Sequence, residues 1–462
     1  MAYQTVNPYN GEVLATFSEM SDTELEEILS RAQSAYEAWR RRTFAERAAV
    51  TARAARILRD RTDEFARLLT LEMGKLIGES REEVELTADI FQYYAENAES
   101  FLAPTRLSTE LRKDDAVVVN DPLGVLLGVQ PWNFPYYQVV RFAAPNVMAG
   151  NVVMVKHASI VPQSALAFER LFREAGAPEG VYTNLFVSKE QIARVIDDSR
   201  VKGVALTGSE GAGKVVASRA GKVVKKSTLE LGGSDPLIVL PDADLNETVN
   251  WAVWGRMHNG GQSCVASKRI LVVDPIADDF LESFKAALGA LTAGDPLDEG
   301  TTLPPLSSRS AVETLNAQVA EAVEHGAEAT TLGDPVPDTG AFVQPTILTG
   351  MTKDNPVYGQ ELFGPVAMFF SVRDEDEAVA IANDTDFGLG GSVFTSDTEH
   401  GKQIAQRIES GMVFVNHPTW TKPDLPFGGV KNSGYGRELS PLGIQEFVNK
   451  KLINVVPLDA PP

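Results

Sequence analysis

Leu25, Ile28, Leu29, Ala32, Tyr36 and Trp39 recur at spacings of three and four residues, behind Ser21 and Glu24 at capping-box spacing. That is the pattern of one buried helix face with its own start signal. Thr43 and Glu46 repeat the start signal, so a long helical region is expected from there to about residue 103. The pattern then changes to short β-branched runs: VLLGV near 125, NVVMVK at 151–156, VYTNLFV at 181–187, VKGVALTG at 201–208 and DPLIVL at 235–240. Helical stretches separate them, such as PQSALAFERLFREAG at 162–176, with Pro162 suited to a first helical turn. Near-continuous apolar strands alternating with helices predict parallel sheets covered on both faces. A second series follows residue 264, in KRILVVD, VAMFFSV and GMVFVN. The predicted fold is therefore α/β with two doubly wound parallel-sheet domains, one from 1–110 and 123–231, the other from 232–430.

Two segments fit neither series. RKDDAVVVNDP (112–122) alternates charge with Val, and KLINVVPLD (451–459) is a lone strand. Each reads as an edge strand folded back on its own domain or as a strand pairing across a subunit boundary. The second reading is the expectation, with 111–122 and 447–462 forming a small β flap for oligomerisation.

Composition narrows the function classes. A chain of 462 residues exceeds one hydrophobic core. The 42 Lys and Arg against 63 Asp and Glu give a net charge of -21, which argues against nucleic acid or an anionic membrane as partner. A single Cys leaves no intramolecular disulfide framework, no leader pattern opens the chain, and no apolar run reaches the ~18–20 residues of a bilayer span. A cytoplasmic location is expected.

The one thiol, Cys264, stands in NGGQSCVASKR (259–269). A structural Cys usually sits among apolar residues, whereas glycines beside a nucleophile allow close backbone approach and an N–H aimed at an oxyanion. From this stretch alone both readings stay open. The five His, at 157, 258, 325, 400 and 417, show no metal-ligand spacing, so no metal is expected. Glu230 in STLELGGSDP is either an ion-paired or capping group or a desolvated carboxylate with a raised pKa, able to activate water. Asn133 lies between two prolines in GVQPWNFPYYQVVR (128–141), which would hold its amide rigidly, and Glu361 and Phe363 lie in QELFGPV (360–366). The run from Gly208 to Val215, GSEGAGKV, nearly spells a phosphate-binding P-loop but has Val215 where Mg²⁺ needs a hydroxyl. It reads better as a helix N-terminus approached by a dinucleotide's phosphates.

PWNFP, VKHAS, LTGS, LELGG, GQSC and ELFGP, in this order and at these intervals, resemble the NAD(P)-dependent aldehyde dehydrogenase superfamily. The resemblance runs from NPYNGE to PFGGVKNSGYGREL and is greatest to the short succinate-semialdehyde dehydrogenase branch. It implies that Cys264 is the nucleophile, that Asn133 helps bind the oxyanion, and that Glu230 activates the water that hydrolyses a thioester. It makes the first domain the NAD(P)-binding domain and the second the catalytic domain. Trp132, Lys156, Ser159, Gly208, Ser209, Leu231, Glu361 and Phe363 become cofactor residues. Arg141, eight residues beyond Asn133, is placed to grip a substrate carboxylate, the alternative being a helix-surface ion pair. His258 stands where some relatives carry a second arginine, and Lys422 in HPTWTKPDLPFGG is then the expected second anchor. In NAD-specific relatives a glutamate stands three residues after the lysine; here Ser159 does, either donating to a 2′-phosphate or capping the next helix. NADP is thus the expected preferred cofactor, with NAD also accepted, and the assembly a homodimer or homotetramer. Other semialdehydes, simple aliphatic aldehydes and coenzyme A acylation are the alternatives, with Glu230 favouring hydrolysis; an inactive binding module would lack Cys264, Glu230 or Asn133.

Overall fold

A computed structural model describes residues 3–107 and 115–458. The start signals act as read. Ser21 with Glu24 and Thr43 with Glu46 form reciprocal capping boxes on helices Asp22–Trp39 and Phe44–Asp60. The long helical region is three helices, Phe44–Asp60, Thr62–Met73 and Ile77–Phe101. Gly74 ends the second in the left-handed region at φ 82°, where a Cβ would lie 2.9 Å from Pro305.

The first sheet orders its strands as Gly434–Tyr435, Lys226–Glu230, Val201–Thr207, Val125–Gln130, Val152–His157 and Tyr182–Asn184. All its pairings are parallel except that of the short Gly434–Tyr435 strand. The second sheet orders Glu328–Thr331, Thr346–Thr349, Val366–Val372, Ser267–Val273, Asp235–Val239, Ser392–Phe394 and Phe414–Val415, antiparallel only at Glu328–Thr331. Alternate residues of its strands feed opposite cores. Ile238, Leu271 and Met368 pack on one face, and Leu237, Val239, Ile270, Val272 and Phe369 on the other. Burial on both faces is why these strands read as unbroken apolar runs.

The two outlying segments require a correction. Strand Val448–Val455 pairs antiparallel along its whole length with Asp115–Pro122 of the same chain, and Thr105–Leu107 completes a three-stranded sheet separate from both domain sheets. Asp115–Pro122 is paired on both sides within the chain, and Lys451 pairs with Asp121 across the ladder. Val448–Val455 is the sheet's outer strand and carries exposed Leu452, Ile453 and Val455. Residues 111–114 and 459–462 of the expected flap lie outside the described residues.

Candidate active site

Four neighbouring strands of the first sheet end on one edge, in parallel register from Thr207 opposite Glu230 to Gln130 opposite His157. The carboxyl edge of an open parallel sheet is where such folds place ligands. Directly beyond those ends lie Trp132 and Asn133, Ser159, Gly208 and Ser209, and Leu231 and Gly232. Ser209 caps helix Glu210–Lys222, its side chain accepting from Ala212 N at 3.4 Å. A Cβ at Gly213 would lie 2.7 Å from Leu231 Cδ2, so this glycine lets the helix pack on Leu231.

A cavity of about 220 Å³ is lined by Trp132, Asn133, Gln138, Gly208, Ser209, Leu231, Glu361, Phe363 and Cys264, among others. It continues into a cleft of about 380 Å³ that includes Ser159 and again Trp132 and Phe363. Lys156 ends the neighbouring strand; burial, then the nearby Lys189, pull its ammonium below the ordinary lysine range, so an anion beside it would be stabilising. Ser159 is not the helix cap. Helix Pro162–Glu174 starts from Val161, and the carboxylate of Glu72 accepts from Gln163 N and Ser164 N instead, which leaves the Ser159 hydroxyl at the cleft.

A second cavity is lined by Glu79, Phe134, Tyr137, Gln138, His258, Ser263, Cys264, Trp420, Thr421 and Phe427 among others. Cys264 and Gln138 are common to both cavities. The loop that holds the thiol begins in a 3-10 turn, His258–Gly261, with Asn259, Gly260 and Gly261 all at positive φ. A Cβ at Gly261 would lie 2.5 Å from the carbonyl oxygen of Gly364, so the glycine pair in NGGQSC serves backbone contact with the ELFGP segment. The Asn133 amide donates to Gln262 O at 3.1 Å, while Asn259 donates to Asn133 O at 2.9 Å and to Gln262 O at 3.1 Å. One N–H of the Asn133 amide remains for another acceptor.

Burial pushes the Cys264 thiol up to about 12, against the favourable charges of Arg141 and Lys268, so the resting group is the thiol. Glu230 is also buried, and neither carboxylate oxygen has a hydrogen-bond partner. Burial and then Glu438 hold its carboxyl well above the usual range, with Arg141 and Arg437 opposing. It lines neither cavity; its Oε1 stands 2.7 Å from where a Cβ on Gly428 would be.

Neither expected substrate anchor is in the lining of these two cavities. Arg141 is buried one layer behind the wall of the second cavity. Its Nε lies 2.7 Å from Glu438 Oε2, its Nη1 donates to Tyr137 Oη at 3.0 Å, and its Nη2 donates to Gln138 Oε1. The guanidinium is packed between the rings of Tyr137 and Phe427, so its fork is already engaged. Lys422 is exposed and outside the lining, because Trp420 and Thr421 turn inward instead. Sequence reasoning missed Gln138, whose signal was an amide near the start of the wholly buried helix Tyr137–Ala149, and Glu438, unassigned within GYGREL. It also gave no role to Lys268, whose Nζ donates to Ser263 O at 2.7 Å and to Cys264 O at 2.9 Å.

Comparison with known proteins adds to this geometry. The model of the aldehyde dehydrogenase family matches residues 1–453. The chain is 51% identical to a succinate-semialdehyde dehydrogenase [NADP(+)] of Deinococcus radiodurans, covering 100% of this chain and 96% of that relative. It is 44% identical to a probable succinate-semialdehyde dehydrogenase [NADP(+)] of Synechocystis, covering 98% and 99%. Among solved structures, the succinic semialdehyde dehydrogenase of Streptococcus pyogenes in complex with NADP+ superposes with a TM-score of 0.96 at 48% identity, covering 98% of this chain and 99% of that one.

Proposed function

The chain belongs to the aldehyde dehydrogenase family, and from that premise we propose that it oxidises succinate semialdehyde to succinate with NADP+. The observation that carries the reading is the position of Cys264, the sole thiol, in the lining of both cavities. One cavity suits a dinucleotide along a sheet edge, with a helix N-terminus at Ser209 and the half-buried Lys156 near the end of the neighbouring strand Val152–His157. The other admits a small aldehyde, with the Gln138 amide and the Thr421 and Ser263 hydroxyls among largely apolar walls.

Once the Cys264 thiol has given up its proton to water, the thiolate adds to the aldehyde carbon, and the new alkoxide accepts hydrogen bonds from the Asn133 amide and the Cys264 N–H. Bound in the adjoining cavity, NADP+ would accept the hydride. The protein is left as a thioester at Cys264. Glu230 then takes a proton from water, whose oxygen attacks the acyl carbon, releasing the acid and returning the thiol. Because Glu230 lines neither cavity at rest, its carboxyl turns toward the acyl group for that step. Arg141 lies behind the wall, paired with Glu438, and Gln138, Ser263, Thr421 and His258 line the cavity together with the carboxylates of Glu79, Glu82 and Glu83.

Two further parts belong to the same proposal. No helix among the described residues is long and apolar enough to cross a membrane. A cytoplasmic location is supported by the net charge of -21 and by a working thiol with no disulfide partner. A homodimer or homotetramer is supported by the outermost place of Val448–Val455 among the described strands of its sheet and by its exposed Leu452, Ile453 and Val455. The test of function is kcat/KM for succinate semialdehyde against butanal with NADP+, in wild type and Cys264→Ala. A preference for the acid, without coenzyme A, and loss of turnover to below about 1% in the variant are expected. Equal use of both aldehydes would overturn the substrate assignment, and retained turnover the nucleophile.

A further inference from the structure

Lys268 follows the thiol by four residues, on strand Ser267–Val273, and its side chain is fully excluded from solvent. An ammonium has three N–H donors and no acceptor. Here each has a partner: the carbonyl oxygens of Ser263 at 2.7 Å and Cys264 at 2.9 Å, and the Glu361 carboxylate at 3.0 Å. Glu361 in turn accepts from Gly233 N at 3.1 Å and lines the cavity assigned to the cofactor.

Two other buried cations nearby show what a purely structural role looks like. Arg256 donates to the carbonyls of Val366, Leu362 and Gly364, and Arg269 to those of Ser234, Ile381 and Ala382. Both clip backbone segments together and pair with no carboxylate at hydrogen-bond distance. Lys268 differs on two counts. It grips the carbonyl of the nucleophilic residue itself, and its third partner is a carboxylate that reaches the neighbouring cavity. A buried ammonium so placed is costly to desolvate unless its partners hold it, so the three contacts fix one another.

Resting on the reading of Cys264 as nucleophile and Glu361 as a cofactor ligand, we propose that Lys268 is a positioning residue that ties the thiol loop to Glu361 and favours the Cys264 thiolate by its charge. The charged or titratable groups that act most on the thiol are Arg141, Lys268, Glu361, Asp235 and Tyr137, and Glu79, Glu82, Glu83 and His258 line the same cavity. Arg141 and Lys268 favour the thiolate, whereas Glu361 and Asp235 oppose it. Loss of Lys268 therefore removes one of two favourable charges and leaves Glu361 unopposed at the same spot. Loss of the Glu361 charge has the reverse sign.

Because Cys264 is the only cysteine, the pH dependence of alkylation by neutral iodoacetamide reads this one group in the full-length protein. With Lys268→Met the midpoint moves up by about one unit, which slows alkylation about tenfold at a fixed pH below it. Lys268→Arg restores most of the wild-type profile, and Glu361→Gln moves the midpoint down. An unchanged midpoint in Lys268→Met, or shifts of the same sign in Lys268→Met and Glu361→Gln, overturns the proposal. Should Lys268→Met not accumulate as folded protein, Glu361→Gln decides, with an upward or absent shift counting against the proposal. Failure of the underlying reading shows separately, as turnover that survives Cys264→Ala.

Discussion

Ser159 and Glu230 show how single side chains set cofactor choice and pH response. Ser159 faces a cleft whose lining holds no carboxylate and is not the cap of the helix that follows, so the lining does not repel a 2′-phosphate. Ser159→Glu puts a carboxylate at that point and is expected to shift the NADP-over-NAD preference toward NAD by roughly 1–3 kcal/mol. Isothermal titration of both cofactors checks this, and an unchanged ratio would show that the phosphate lies elsewhere. Glu230 works as a base only when ionised, and burial with Glu438 nearby raises its pKa well above the ordinary carboxylate value. Raised pKa and required deprotonation have the same sign: deacylation gains rate as pH rises, and its acid limb sits above the usual carboxylate range. The profile of kcat in a deacylation-limited regime measures this; a limb near 4.5 would contradict it. At this scale the sequence disclosed identities better than directions. Cys264 and Asn133 stood out because Gly, Pro and amide residues surround them without an apolar pattern. Thr421 and Lys422 are adjacent, and only backbone geometry decides that one lines the cavity while the other faces solvent.

Elements were the most legible level, because a strand buried on both faces leaves a continuous apolar run and a capping box leaves a fixed spacing. Strands Val125–Gln130, Val152–His157, Val201–Thr207 and Asp235–Val239 fall where the runs stood, and the helices at Asp22 and Phe44 begin where the boxes stood. The pairing of the two outlying strands with each other was not legible. An alternating strand records which faces are buried and carries no label for its partner, which here lies over 300 residues away. Among the described residues Val448–Val455 is an outermost strand of its sheet and carries exposed apolar side chains. Truncation after residue 447 removes that strand and uncovers Asp115–Pro122, so monomeric or insoluble chain is expected in place of the assembly. Light scattering on wild type and truncation tests this, and a monodisperse active wild-type monomer would refute the assembly.

Across the whole molecule, the site exists because two sheets meet. The first sheet supplies a carboxyl edge with Asn133, Ser209 and Glu230, while the loop before Ser267–Val273 brings Cys264 to it. The contacts that join them run from Asn133 to Gln262 and from Asn259 to Asn133. The Arg141–Glu438 pair belongs to this level, since its partners come from distant parts of the chain and no local pattern announces them. What the assembled site is claimed to do is form an acyl group on Cys264 and hydrolyse it through Glu230. The most direct test is intact mass spectrometry of Glu230→Gln after brief mixing with succinate semialdehyde and NADP+. One succinyl group per chain, mapped to Cys264 and accompanied by about one NADPH per site before turnover stalls, is the result this account predicts. Unmodified protein that turns over at the wild-type rate would contradict it.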